Sequence, residues 1–546
     1  MIKNFKWLFL VSLTFIACNS EDESIVDNNS SDGLPLTSGS ANFSKYVSVG
    51  NSLTAGFSDN ALFKAGQEGS YPNILSQQFK LVGGGDFKIP YTNDNLGGLT
   101  FFNNVIQGTR MALNSLTATP NPSPNPNLLY TPGIFPIPGT PTTEITNPAV
   151  SAAGPYNNVG VPGAKSFHLL SPTYGLLSGV PSGTANPYFA RFMSQSSPVS
   201  MLNYATSQSP TFFSLWIGNN DVLSYATSGG TGINQVGNLN PSTYGANDIT
   251  DPTVFANVYS QLLDGTTGLT KNGAKGVVAN IPYVTTIPFF TAVPTNPVPL
   301  TATQVGQLNG LFGAMNASLI AHGQAARFQT LQASVLDGNT TTYSKTNPLL
   351  IIDESLTYDP TSDFVTLFMG APFNYPAPTA GFLANLYKNS RHAIGSGSNR
   401  DYILLSARGT IGATQPGFPA TNNTIGVTYP MPDSSTITFS EAAIIKTATD
   451  SYNNTIKSLA LAKGLAFVDA NAIMSQVANG GIGSNNYVIT NAYPTGGAFS
   501  YDGVHPCQRG YALIANKFIE AINTTYGSNL KGVDLSKYKI AFPSSL

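Results

Sequence analysis

Residues 47–60 read VSVGNSLTAGFSDN. A near-continuous apolar run ends at Gly50 and Asn51, Ser52 follows, and small residues succeed it. Consecutive rather than alternating apolar positions mark a parallel strand covered on both faces. Ser52 then stands just past the carboxyl end of a strand, either as a turn residue or as a nucleophile. Runs of the same kind recur at 212–217, 276–281, 349–352, 402–405 and 465–468.

Helical patterns lie between them. Thr301 and Gln304 form a capping box ahead of Val305, Leu308, Phe312, Met315 and Leu319 at helical spacing. Thr438 and Glu441 form another ahead of Ile444, Ala448, Tyr452, Ile456 and Leu459, with Gly464 as the stop. Tyr511, Ile514, Ala515, Phe518, Ile519 and Ile522 make a last stripe. Strands alternating with helices predict an α/β fold, a doubly wound and mostly parallel sheet sandwiched between helices in three layers. Two regions break the alternation. Residues 84–156 are rich in Gly, Pro and Asn, as in PNPSPNP at 120–126. Residues 328–437 hold two strand-like runs in much irregular chain. Both are expected to be long loop insertions on the main fold.

Composition sets outer bounds on function. Charged residues are 10% of the 546, well below the ~25% of an average soluble domain. Disorder is not the cause, because 41% of the chain is apolar. A net charge of −2 gives no attraction to nucleic acid. No metal-ligand cluster and no nucleotide-binding loop occurs in the sequence, so neither metal nor cofactor is expected.

The chain opens MIKNFKWLFLVSLTFIAC. Lys3 and Lys6 precede an apolar run from Trp7 to Ala17, too short for a bilayer span, which takes ~20 residues. The run ends FIAC, which resembles a bacterial lipobox. That resemblance implies a signal peptide over 1–18 and a lipid on Cys18; a plain secretory signal is the alternative. Residues 19–42 lack periodicity and read as a flexible tether. Glu21, Asp22 and Glu23 are similar to the surface-export signal of lipoproteins in the Bacteroidetes, with a solvated linker as the alternative. The implied location is the outer membrane of a Gram-negative bacterium, facing outward, with the membrane reached through the lipid anchor alone. Cys507 is then a lone packed thiol.

An open parallel sheet takes its ligands in the crevice outside the carboxyl ends of its strands. Ser52 falls there, and so does Gly218-Asn219-Asn220-Asp221. A hydroxyl nucleophile needs a base within hydrogen-bond reach and a third group to fix that base. Among His168, His322, His392 and His505, only His505 has a carboxylate, Asp502, three residues earlier in a tight Asp-Gly turn. Such a turn can set one ring nitrogen on Asp502 and leave the other for Ser52. A surface turn before a helix is the alternative reading of DGVHP.

GNSLTAG at 50–56, NVGVPGAKS at 158–166, GNND at 218–221 and DGVHP at 502–506 occur in this order. Together they resemble the four sequence blocks of the SGNH hydrolases, also called GDSL esterases and lipases, over residues 43–546. The resemblance implies a flavodoxin-like three-layer α/β fold and a serine esterase or lipase acting on carboxylic esters, whether of lipids or of acylated glycans. It implies Ser52 as nucleophile, His505 as base and later acid, and Asp502 as the group that orients His505. It implies an oxyanion hole built from the backbone amides of Ser52 and Gly163 and the side chain of Asn220. The first block commonly carries Asp where this chain has Asn51, which removes a negative charge near the serine. Asp469, ending LAFVD, is a rival carboxylate but is read as a helix cap. The alternative function is a non-catalytic surface binding lipoprotein on the same fold. The insertions carry Leu128, Leu129, Tyr130, Ile134, Phe135 and Ile137, then Phe373, Tyr375 and Phe382. These read either as a groove for an acyl chain or as cover for the sheet edge.

Overall fold

The computed structural model describes residues 33–115, 133–193, 198–335, 343, 345–484 and 487–546. Cys18, the leader 1–18, residues 19–32 of the tether and Leu128, Leu129 and Tyr130 lie outside the described residues. A five-stranded parallel sheet occupies the centre, with β1 at Tyr46–Gly50, β2 at Asn158–Gly160, β3 at Phe212–Trp216, β4 at Lys275–Ala279 and β5 at Ala466–Val468. The order across the sheet is β2-β1-β3-β4-β5. Winding reverses between β1 and β3, and an open sheet leaves its crevice at that switch point. Ser48 of β1 lies level with Ser214 of β3 and Asn158 of β2.

Parallel neighbours need crossover connections, and these bring helices onto the sheet. The helices that matter are α1 (Ser52–Ala55), α2 (Tyr71–Lys80), α3 (Asn220–Thr227), α4 (Pro252–Leu262), α5 (Phe439–Ala462) and α6 (Gln508–Tyr526). α2 packs on α6, and α4 packs on α5. β1 and β3 are buried along their whole length, which is why both read as apolar without alternation. The Thr438–Glu441 capping box starts α5, and Gly464, at φ +61°, follows its end.

Two expected strands belong elsewhere. Leu350–Ile352 pairs antiparallel with Ser390–His392, and Tyr402–Ile403 pairs antiparallel with Thr436–Ile437. Leu349, Leu350 and Ile351 are fully buried in a second hydrophobic cluster with Phe312, Phe364, Leu383 and Met431. Apolar runs report burial on two faces, not the direction of the partner strand, so the pattern could not separate the two cases. Helix Ala302–Ala321, expected among the elements of the main sheet, also packs in this second cluster, through Leu308, Phe312, Met315 and Leu319. The second core therefore draws on residues from 293 to 431. β2 was not expected as a strand, since its three residues are too short to register as a run. Arg391 is buried in an ion pair with Asp353 at 2.5 Å and with Asp401 at 2.6 Å. Asp401 also accepts the amide of Phe439, the first residue of α5, at 2.9 Å, and so joins the second core to the main fold.

Under the first strands lies an aromatic cluster. Phe79 of α2 stacks on Phe43 at 4.0 Å and meets Phe212 edge-on at 5.5 Å. Phe79→Ala should lower stability by about 3–5 kcal/mol, measured as a lower urea midpoint. Phe135→Ala, at a side chain 51% exposed, should shift it by less than about 0.5 kcal/mol.

Candidate active site

Three segments remote in sequence meet at the carboxyl edge of the sheet. Ser52 opens α1 directly after β1, and its Oγ lies 2.9 Å from His505 Nε2, across 453 residues of chain. His505 Nδ1 lies 2.9 Å from Asp502 Oδ2. An ionised carboxylate only accepts, so Nδ1 carries the ring proton and Nε2 presents a lone pair to the serine hydroxyl. The ring also packs on Phe57 at 4.6 Å.

The Asp502 side chain is saturated with donors. Its Oδ1 accepts the amides of Val504 and His505, each at 2.8 Å, and the Ser500 hydroxyl at 3.1 Å. Its Oδ2 accepts the Asn60 amide at 2.9 Å besides the imidazole. Burial pushes the carboxyl up, but the charge on His505 and these hydrogen bonds outweigh it and hold Asp502 below the usual carboxylate range. The turn closes with the Ser500 amide donating to the His505 carbonyl at 2.8 Å. Gly503 sits at φ +70°, and a Cβ there would lie 2.9 Å from Leu405 Cδ2. A side chain there would be strained, which favours glycine.

Asn51 ties the serine turn to its neighbour. Its Oδ1 accepts the Leu53 amide at 3.0 Å, and its Nδ2 donates to Asn219 Oδ1 at 3.3 Å. A carboxylate at position 51 could make the first bond but could not donate the second. As first residue of a helical turn, Ser52 has an amide with no intrahelical acceptor. Asn220, first residue of α3, donates from Nδ2 to the Ala164 carbonyl at 2.9 Å. Gly163 precedes that carbonyl at φ +81°, a conformation that suits glycine. The buried Asp221 carboxylate accepts the Ser166 amide at 2.8 Å and the Ser166 hydroxyl at 2.6 Å. The 158–166 and 218–221 stretches are thus bolted together, with Gly163 and Asn220 adjoining through Ala164.

The remaining candidates have other partners. His168 accepts the Lys165 amide at 3.1 Å and stacks on Tyr174 at 4.2 Å, and burial pushes it down to about 3. His392 accepts the Gln329 amide at 2.8 Å and burial pushes it down to about 4. His322 Nε2 lies 3.5 Å from Asp363. Asp469 Oδ1 takes the Asn280 side chain at 2.8 Å and caps the helix Ala470–Ala478 through the Ala472 amide at 3.0 Å. The Cys507 thiol is buried and donates to the Gly497 carbonyl at 3.0 Å, and burial pushes it up to about 11. Among the described residues, Glu354, Asp433 and Glu441 form a group with metal-ligand spacing, their carboxylate oxygens within 4.8 Å of one another, apart from the triad.

Three cavities border the site. One of about 120 Å³, with almost wholly apolar walls, starts at Ser52 and His505 and runs under Trp216, Val468 and Leu513. One of about 1240 Å³ lies beyond Gly163 and carries Lys165, His168 and Asn186. One of about 510 Å³ lies between His505 and the second core, against Leu405, Arg408 and Phe289. Ile134 from the first insertion reaches this last one. Phe373 and Tyr375 line a separate cavity with Leu300 and Leu308, and Phe382 packs on Phe418 at 5.6 Å. The expected groove residues of the second insertion therefore lie away from the triad. No family model, curated protein or solved structure matches the chain.

Asp59 escaped the sequence reading. It lies in the FSDN turn of the opening stretch at φ +51°. Its Oδ1 accepts the Tyr501 amide at 3.0 Å, and its own amide donates to Ser500 Oγ at 2.9 Å. An Asp-Asn pair signals a turn but not what the turn will touch. Asp59 Oδ2 is buried with no hydrogen-bond partner. Burial pushes the carboxyl up to about 7, with the Asp502 charge adding to it against the Tyr501 amide and Arg110. A free Asp titrates near 3.9. Between about pH 4 and 7 the folded chain keeps a proton that the unfolded chain has lost, so this group's contribution to stability falls as pH rises through that window. Asp59→Asn removes the titration and keeps a residue that tolerates positive φ. Its thermal midpoint should match wild type near pH 4 and exceed it increasingly towards pH 7.5, read from melts across that range.

Proposed function

We propose that the chain hydrolyses carboxylic esters by acyl transfer through Ser52, in the manner of the SGNH hydrolases. The observation that supports this most is the continuous relay from Ser52 Oγ to His505 Nε2 and from His505 Nδ1 to Asp502, with both contacts at 2.9 Å. Ser52 Oγ attacks the ester carbonyl carbon while Nε2 takes the hydroxyl proton. Asp502 steadies the imidazolium that forms. The carbonyl oxygen becomes an oxyanion, met by the amides of Ser52 and Gly163 and by Asn220. An amide nitrogen carries two hydrogens, so Asn220 can hold Ala164 with one and donate the other to the oxyanion. The C–O bond to the alcohol breaks, and Nε2 returns the proton to the leaving oxygen. Water then attacks the acyl-serine, giving up a proton to Nε2, and that proton restores the Ser52 hydroxyl as the acid departs. Neutral Asn51 leaves Asp502 as the carboxylate in contact with the imidazole.

The proposal extends to the setting: an exported lipoprotein held in the outer membrane through Cys18 and facing outward. Cys18→Ser should move the protein from the membrane to the soluble fraction.

On purified protein with p-nitrophenyl esters, Ser52→Ala and His505→Ala should each lower kcat by about 10⁴-fold or more, and the double variant should be no worse than either, because the two act as one unit. Asn220→Ala should cost about 10²–10³-fold. Activity should decline on the acid side, where a protonated imidazole cannot take the serine proton. A fluorophosphonate should label Ser52. Equal hydrolysis by wild type and Ser52→Ala would sink the assignment.

A further inference from the structure

We propose that the apolar cavity beside Ser52 is the subsite for a fatty acyl chain, so that the substrates are esters of medium or longer acyl groups and not acetyl esters of glycans. This rests on the esterase reading above. The sheet order sets the stage. Ser52 follows β1 near the middle of the carboxyl edge, Gly163 follows β2 on one side, and Pro282 and Val468 lie at the ends of β4 and β5 on the other. The larger cleft, whose walls mix polar and apolar side chains, lies on the β2 side with Gly163 in its wall. The apolar cavity lies on the β4–β5 side, closed by the helix Ala470–Ala478 and by α6.

Its walls have one chemistry. Ile473, Met474, Val477, Leu513, Ile514 and Phe518 face it from those two helices. The polar groups in its lining cluster around the serine: Ser52, His505 and the asparagines 51, 219 and 220. Asn51 and Asn219 already bond to each other at 3.3 Å. Lys517 is the one lysine in the wall, and its ammonium is held by Glu520 at 2.9 Å. A sugar placed against the apolar side chains of the two helices would lose hydrogen bonds to water and gain none from them. An alkyl chain loses nothing, and an unbranched Met lets the wall adapt to it. Ser52 lines the same cavity as these apolar side chains, so an acyl chain lying among them can keep its carbonyl carbon beside the nucleophile.

Each buried CH₂ should raise kcat/KM by up to about fourfold, from about 0.8 kcal/mol per CH₂ and tenfold per 1.4 kcal/mol. In a p-nitrophenyl ester series on wild type, kcat/KM should rise at least about tenfold from acetate to octanoate. Ile473→Phe narrows the cavity and should shrink the octanoate-to-acetate ratio by about tenfold or more. A second readout does not need catalysis. Trp216 lines the cavity and is the only tryptophan besides Trp7. Decanoate titrated into Ser52→Ala should change the tryptophan emission saturably, and Ile473→Phe in the same background should weaken that response. A flat or falling chain-length series in protein that fluorophosphonate labels at Ser52 overturns the acyl subsite and leaves the esterase standing. No response of Trp216 to decanoate overturns it as well. Absence of both labelling and hydrolysis removes the esterase reading and the subsite with it.

Discussion

A buried negative charge at Asp502 organises this molecule. Burying a carboxylate is costly unless its oxygens are filled with donors. Here Val504, His505, Ser500, Asn60 and the imidazole fill them. Each donor imposes a constraint on the chain. The amides of residues 504 and 505 require the tight turn, and the turn requires Gly503. The Asn60 amide requires the 58–60 turn to lie alongside, and Asp59 holds it there through Tyr501 and Ser500. The turn after β1 is thereby pinned to the turn before α6, which brings a serine and an imidazole to hydrogen-bond distance without either having to reach.

The sheet supplies the second constraint. Adjacent parallel strands end at the same edge, so whatever follows β1, β2 and β3 is gathered there by topology. Asn51 to Asn219, Asn220 to Ala164 and Asp221 to Ser166 then fix the three loops against one another at distances no sheet could set. Most of these contacts are made by neutral amides and hydroxyls. That accords with a chain so poor in charge, because neutral groups are cheaper to bury than ions.

Much of this was legible in the sequence, and the limits have physical causes. The central strands, the capping boxes of Thr301 and Thr438 and the Asp-Gly turn were visible because burial period, caps and tight turns are local properties. The grouping of Ser52, His505 and Asp502 was legible through the resemblance of four ordered blocks to those of the SGNH hydrolases, since the Asp-Gly turn by itself reads equally as a surface turn before a helix. The second core was not, because an apolar run such as 349–352 looks alike whether its neighbour runs parallel or antiparallel. Helix Ala302–Ala321 was seen as a helix but assigned to the wrong layer for the same reason, since amphipathicity names a buried face and not what buries it. Asp59 was invisible because its role depends on a chain segment more than 400 residues away, at a 442-residue separation.

The separation of Ser52 from His505 also has a consequence in time. A ribosome adds about 5–20 residues per second, so a gap of 453 residues leaves the serine waiting roughly 20–90 s for its imidazole. Throughout synthesis the growing polypeptide carries the Ser52 hydroxyl without the imidazole it will finally bond. Premature termination anywhere before His505 yields a product whose Ser52 lacks this imidazole partner, and proteolytic loss of the last few dozen residues removes that partner from a finished molecule in one cut.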